Sequence, residues 1–136
     1  MAFVHLHNHT EYSLLDGATK VYDMVKRAAD LGMPAVAITD HGVMSGVPEL
    51  ADACDKVKAE TGTWVKPIFG CEIYFTTDSS LKKEGKQKLH HMILLAKNNT
   101  GYHNIVKLVS ESHVDNFYYR CLLYTSPSPR DSTSSR

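Results

Sequence analysis

The sequence FVHLHNHT at residues 3–10 places three histidines at alternate positions after a short apolar run. Residues 3–6 are typical of a β-strand, and alternate side chains of a strand lie on the same face. If the extended backbone continues, His5, His7 and His9 point in one direction. Because neutral imidazole is the commonest metal ligand in proteins, the end of this strand is a candidate metal site.

The rest of the chain alternates between predicted helices and strands. Gly32 and Gly62 are expected to end the first two helices, and Thr100 is expected to cap the third. Such alternation predicts an α/β fold with parallel strands and right-handed crossovers, as in the first half of a barrel that needs about 250 residues when complete. Helices are expected at 19–31, 48–61 and 102–112, and further strands at 35–39, 65–75 (with a break at Gly70) and 92–96.

Composition argues against several classes of protein. The 15 basic residues balance the 15 acidic ones, so no general polyanion-binding surface is expected. Cys54, Cys71 and Cys121 are widely spaced, which predicts neither a disulfide framework nor a zinc ribbon and fits a reducing compartment. Without a signal peptide or an apolar run of about 18 residues, we expect a cytoplasmic protein that makes no membrane contact.

The C-terminal residues 121–136, CLLYTSPSPRDSTSSR, break the alternating pattern. Ser, Thr, Pro and Arg dominate there, and no hydrophobic period survives. We predict a folded part over residues 1–120 and a non-homologous tail over residues 121–136 that is disordered or artefactual. The polar, lysine-rich stretch 76–88 is expected to be a solvated loop.

Further residues that can bind metals follow the predicted strands. Asp40 and His41 come after the second strand, Glu72 lies in the third, and Asp16 precedes the first helix. Barrel enzymes carry their sites at the C-terminal ends of the strands, so these groups are expected at one rim. Mixed nitrogen and carboxylate ligands suit Zn²⁺, Mn²⁺ or Fe²⁺.

The acidic residues allow more than one role. A carboxylate such as Glu72 can bridge two ions, an arrangement used for phosphoester cleavage, and we assign catalytic roles to Glu72 and Asp40. Asp40 alternatively holds a ligand imidazole from outside the ligand set, and Asp16 is either a ligand or a capping carboxylate. The remaining histidines are expected in supporting or solvated positions: His5, His90, His103 and His113.

Five segments appear in order: HLHNHT, EYSLLDGA, ITDHG, GCEIYF and HHMILLAKNNTGYHNIVKLVS. Together they resemble the polymerase and histidinol phosphatase (PHP) domain, in the form carried by alpha subunits of bacterial DNA polymerase III, over residues 2–120. The resemblance implies a distorted (β/α)7 barrel, of which this chain would be the N-terminal half. It also implies up to three divalent metal ions.

The resemblance implies the metal ligands position by position. His91 precedes its predicted strand instead of following it, so it is carried over from the motif alone. The implied ions are zinc or manganese here, with magnesium in a polymerase site that this chain lacks. The implied ligands are His7, His9, Asp16, His41, Glu72 and His91.

The resemblance also implies a function. The chain would be a fragment of a replicative DNA-directed DNA polymerase, a nucleotidyltransferase, with a metal-dependent 3′–5′ exonuclease or phosphoesterase activity in its PHP domain. The implied partners, through the full-length protein, are DNA, a sliding clamp and a proofreading subunit. The alternatives are a free-standing phosphoesterase such as a histidinol phosphatase, and a non-catalytic scaffold stabilised by metals. The fragment alone is expected to be inactive.

Overall fold

The computed structural model describes residues 3–14, 16–76, 89–114 and 123–124. Helices and strands alternate along most of this part of the chain, as the sequence predicts. The elements are α1 (Val21–Asp30), β1 (Ala35–Ile38), α2 (Val47–Thr61), β2 (Lys66–Thr76), β3 (His90–Leu95), α3 (Asn99–Val114) and β4 (Leu123–Tyr124).

The central strand β2 pairs with all three other strands. β1 pairs with it in parallel, from Ala35 opposite Lys66 to Ile38 opposite Phe69, which confirms the parallel prediction for this pair. β3 pairs with it antiparallel, so the prediction of parallel strands is wrong there. A parallel neighbour needs a crossover, which is usually helical, and the polar stretch 76–88 lacks the apolar period of a helix.

The first predicted strand is reduced to a single bridge. His5 pairs in parallel with Val36, and the backbone N–H groups of Ala37 and Thr39 donate to the carbonyls of His5 and Asn8. The Asn8 side chain also donates to the carbonyls of His5 and Ala37. These side-chain bonds replace part of a regular ladder, so the segment follows β1 without forming a full strand.

The main hydrophobic core lies between α1, α2 and β1. Val21, Val25 and Ala28 of α1 are buried at the predicted helical spacing and pack in the same cluster as Leu50 of α2 and Ile38 of β1. Burying each larger apolar side chain contributes about 1.5–3 kcal/mol. Both helices end where predicted, at the left-handed glycines that follow them, Gly32 (φ +68°) and Gly62 (φ +73°).

A second, smaller apolar cluster joins β2 to α3. Cys71 and Ile73 of β2 pack with Ile105 of α3. Because side chains alternate along a strand, Glu72 lies on the opposite face of β2. The helix begins at Asn99, and Asn98 Oδ1 accepts the Gly101 N–H, so Asn98 provides the cap predicted at Thr100.

Strand β2 continues through Gly70, where a break was expected. A Cβ atom at this position would lie 2.5 Å from the Leu94 carbonyl oxygen of β3. Glycine is therefore required by the close approach of the neighbouring strand, and the backbone stays extended. No helix in the described ranges is long and apolar enough to cross a membrane.

The short strand β4 lies within the segment predicted to be a disordered or artefactual tail. Leu123 and Tyr124 pair in parallel with Phe75 and Thr76. The other residues of 121–136 lie outside the described residues, as do residues 77–88 of the predicted loop. The domain boundary at residue 120 stays a prediction.

Candidate metal centre

The ends of three adjacent chain segments meet at one rim of the sheet. His7 and His9 follow the segment beside β1, His41 follows β1, and the backbone of His41 forms a parallel bridge with Glu72 of β2. This bridge extends the β1–β2 register beyond the assigned strand. The parallel pairing therefore places residues far apart in sequence at the same end of the sheet, as predicted.

Glu72 is the central carboxylate of this rim. Its side chain is 2% exposed, yet three imidazoles lie against it. His7 Nε2 and His9 Nε2 each lie 2.7 Å from Glu72 Oε2, and His91 Nδ1 lies 2.5 Å from Oε1. A buried carboxylate needs such partners because an unpaired buried charge is costly.

The surroundings of Glu72 keep it ionised. Burial acts to raise its pKa, but the hydrogen bonds from His91, His7 and His9 outweigh burial and lower the pKa to about 2. Hydrogen bonding to the charged form favours that form. Glu72 is therefore an anion near neutral pH, the state in which a carboxylate binds cations.

Asp16 is the second carboxylate of the cluster and lies on a loop. Its Oδ2 atom lies 2.6 Å from His41 Nε2 and 2.9 Å from His9 Nδ1, and its side chain is 56% exposed. The hydrogen bonds from His41 and then His9 lower the pKa of Asp16. Because Lys20 is the residue that precedes α1, the capping role considered for Asp16 is wrong.

These side chains form two groups that could each hold a metal ion. His7, His9 and Glu72 form one group, and His9, Asp16 and His41 form the other, with all ligand atoms of a group within 4.8 Å of one another. His9 belongs to both groups because its two ring nitrogens face different carboxylates.

The donor set fits a divalent cation. His7 Nε2 and His9 Nε2 lie only 3.1 Å apart, and each also faces Glu72 Oε2. A convergence of nitrogen and carboxylate donors on one point suits zinc or manganese. We name the first group of three residues the sheet group and the second the loop group.

The antiparallel direction of β3 explains the position of His91. His91 is the second residue of β3 and lies opposite Tyr74 of β2, so the start of an antiparallel strand reaches the rim where parallel strands end. The Tyr74 ring centroid lies 4.3 Å from that of His91 and 5.8 Å from that of His41. Tyr74 thus packs against two predicted ligands, although the sequence analysis did not single it out.

Asp40 lies apart from the imidazoles. In the part of the chain that the structure describes, its carboxylate accepts hydrogen bonds from Thr10 and Ser13 and from no histidine. The catalytic role assigned to Asp40 stays a prediction, and these contacts favour its alternative role outside the ligand set. Thr10 and Ser13 carried no sequence signal beyond being small polar residues near a candidate ligand.

The other histidines lie outside the two groups. The side chain of His5 packs against Phe3 at 4.7 Å between ring centroids, so the expected alignment of three imidazoles holds for two. His90 packs against Phe75, and the exposed His103 and His113 lie on α3. Asn8, between the two ligands, bonds to β1 and was also missed. Cys71 is a buried core residue, as expected, and burial raises its pKa to about 12.

Curated relatives of this chain are alpha subunits of DNA polymerase III. The Helicobacter pylori subunit (strain 26695) is 44% identical over 118 residues, and the Borreliella burgdorferi subunit is 43% identical over 122 residues. The Aquifex aeolicus subunit is 41% identical over 126 residues. Each match covers 87% of this chain, whereas the chain spans only 9–10% of the length of these relatives.

A solved structure and a family description agree with these matches. The crystal structure of a candidate metal-dependent phosphoesterase from Bifidobacterium adolescentis superimposes with a TM-score of 0.55 at 26% identity. That match covers 82% of this chain and 34% of the other. The sequence model of the PHP domain family matches residues 5–131, and these residues include every candidate ligand. The chain belongs to the PHP domain family.

Proposed function

We propose that this chain is part of a replicative DNA polymerase III alpha subunit, in which it forms a metal-dependent phosphoesterase centre acting on DNA 3′ ends. DNA-directed DNA synthesis, with its magnesium site, would belong to the rest of the subunit. The identities of 41–44% to such subunits support the assignment. They favour it over a free-standing phosphatase, since the phosphoesterase of known structure is 26% identical.

The two ligand groups support the metal-dependent part of the proposal. The sheet group and the loop group would each hold one zinc or manganese ion, with His91 beside Glu72. When bound, such ions lower the pKa of a coordinated water and stabilise charge on phosphoryl oxygens. The observation that carries the proposal is the contact of three imidazoles with one buried carboxylate.

The side chains of the cluster have separate tasks in this proposal. Glu72, held ionised by its three imidazoles, supplies the negative charge of the sheet group and is the catalytic carboxylate. His9 ties the two groups together through its two ring nitrogens. Asp16, whose side chain is 56% exposed, is a ligand that incoming substrate could reach.

The setting of the protein follows from the same assignment. We propose a cytoplasmic protein whose partners are DNA, a sliding clamp and a proofreading subunit. The names of the relatives, which are polymerase subunits, support a role beside DNA. Cys54 and Cys71, which are free and buried, fit a reducing compartment.

Metal retention tests the proposal. The full chain, loaded with zinc and dialysed, is expected to keep its metal, and His7→Ala/His9→Ala is expected to lose it, because that change removes ligands from both groups. His103→Ala/His113→Ala is the matched control, since it removes two exposed imidazoles from α3. Equal metal content in the two double variants, measured by mass spectrometry, would contradict the metal centre.

A further inference from the structure

The carboxylate of Asp40 lies buried at the end of β1, directly before the predicted ligand His41. It is 1% exposed, and both oxygens are occupied. Oδ1 accepts the Thr10 N–H at 2.6 Å and the Ser13 hydroxyl at 2.7 Å, and Oδ2 accepts the Thr10 hydroxyl at 2.8 Å. Hydrogen bonds to an ionised acceptor are about twice as strong as those between neutral groups.

The partners of Asp40 belong to the loop that joins two ligands. Thr10 directly follows His9, and Ser13 lies three residues before Asp16. The Ser13 backbone N–H donates to the Thr10 carbonyl, and the Ser13 carbonyl accepts the N–H of Asp16. The loop between His9 and Asp16 is thus folded around Ser13, which Asp40 holds from the sheet.

The Ser13 hydroxyl also reaches the third ligand of the loop group. It donates to Asp40 and accepts the backbone N–H of His41 at 3.1 Å. Ser13 is 2% exposed, so these bonds are not shared with bulk water. One hydroxyl therefore connects the loop that carries Asp16 to the strand end that carries His41.

We propose that Asp40 and Ser13 form an anchor that positions the loop group and thereby sets the affinity for one of two metal ions. The inference rests on the proposed metal centre. The sheet group has a separate support, because Asn8 bonds to Thr39 through its backbone N–H and carbonyl and fixes the segment between His7 and His9. Asp40 and Ser13 are positioning residues, since neither contacts the site of an ion.

Zinc titration of the full chain with Ser13→Ala tests the anchor. The wild type is expected to bind two ions, and the variant is expected to bind one with unchanged affinity and the other about 10–100-fold more weakly, as for other residues that orient ligands. Ser112→Ala is the matched control. Ser112 is also 2% exposed and donates to the Val109 carbonyl within α3, so its loss is expected to leave both affinities unchanged.

A graded change at Asp40 gives a second measurement. Asp40→Asn keeps one oxygen that can accept from both Thr10 and Ser13, whereas Asp40→Ala removes every acceptor. The zinc affinity of the loop group is therefore expected to be highest in the wild type, lower in Asp40→Asn and lowest in Asp40→Ala. The spectrum of bound Co²⁺ separates this effect from a general loss of packing, because only the contribution of the loop-group ion changes.

Three outcomes would overturn the anchor. If Ser13→Ala and Asp40→Asn each bind both zinc ions with wild-type affinity, the loop group needs no anchor. Loss of both ions, accompanied by loss of the cooperative thermal melt, would show that Asp40 and Ser13 stabilise the fold as a whole. A wild-type chain that binds no zinc would overturn the metal centre first, and the anchor with it.

Discussion

The two carboxylates of the cluster are held in different ways. Glu72 lies within β2, paired with β3 on one side and bridged to His41 on the other, and is 2% exposed with three imidazoles against it. Asp16 lies on a loop, is 56% exposed and meets two imidazoles. Strand pairing fixes the backbone of the first, whereas in the described part of the chain the loop that carries the second is held by hydrogen bonds within itself and to Asp40 and His41.

This difference indicates how the two groups respond to change. A ligand on a paired strand cannot move without breaking sheet hydrogen bonds, so its geometry is set by the fold. A loop ligand depends on a few local contacts, and regions with few buried contacts open at low free-energy cost. The sheet group is therefore expected to bind its ion more tightly than the loop group.

Neutralising each carboxylate in turn is expected to give the largest effects. In the full-length subunit, Glu72→Gln removes the charge that faces three imidazoles, so the sheet-group ion should be lost and the rate of phosphodiester cleavage should fall by about 100-fold or more, with little effect on DNA binding. Asp16→Asn should weaken one ion and spare the other. The measurements are metal content and cleavage of a 3′-labelled DNA strand. Activity that survives Glu72→Gln would come from another site or protein.

Alanine substitutions at two glycines distinguish the contribution of the loop from that of the sheet. A Cβ on Gly17 would lie 1.8 Å from the Thr10 carbonyl oxygen, so Gly17→Ala should displace the loop and weaken the loop-group ion. Gly70→Ala would crowd the Leu94 carbonyl and should lower the free energy of unfolding by about 1–3 kcal/mol. Thermal melts and zinc titrations of both variants measure these effects.

Gly101→Ala is the matched control for both glycine changes. The nearest atom that the new Cβ would meet is Asn98 Oδ1 at 3.6 Å, and the residue lies in α3, where alanine is preferred by about 0.5–1 kcal/mol. It should leave zinc binding unchanged and not lower the melting temperature. A loop-group affinity that stays at the wild-type value in Gly17→Ala would contradict the loop-dependent geometry.

Acid stability concerns the sheet group without metal. The pKa of Glu72 is about 2 in the fold and 4.5 ordinarily. Because the folded-state pKa is the lower one, the ionised carboxylate stabilises the fold fully above pH 4.5, and this contribution is lost as the pH falls to about 2. Urea unfolding of the metal-free chain across that range should show this slope, and Glu72→Gln should flatten it. If the free energy of unfolding varies with pH in the same way in the wild type and in Glu72→Gln, the contacts of Glu72 do not stabilise the fold.

Local sequence patterns predicted the helices and the chemistry of the site. The apolar spacing of Val21, Val25 and Ala28 and the glycines after α1 and α2 act within a few residues, so they can be read directly from the chain. The identity of the ligands was equally local, because only imidazole and carboxylate groups bind these ions well. The order of the five motifs along the chain added the resemblance to the PHP family.

The tertiary structure decided which of these groups meet and how they are held. The contact between His7 and Glu72 joins residues 65 positions apart, and the antiparallel direction of β3 brought His91 to the same rim. The role of Asp40 depended on donors from a loop 27–30 residues earlier. Hydrophobic periodicity and composition describe each segment by itself. Strand direction and hydrogen-bond partners depend on neighbouring segments, which only the folded chain brings together.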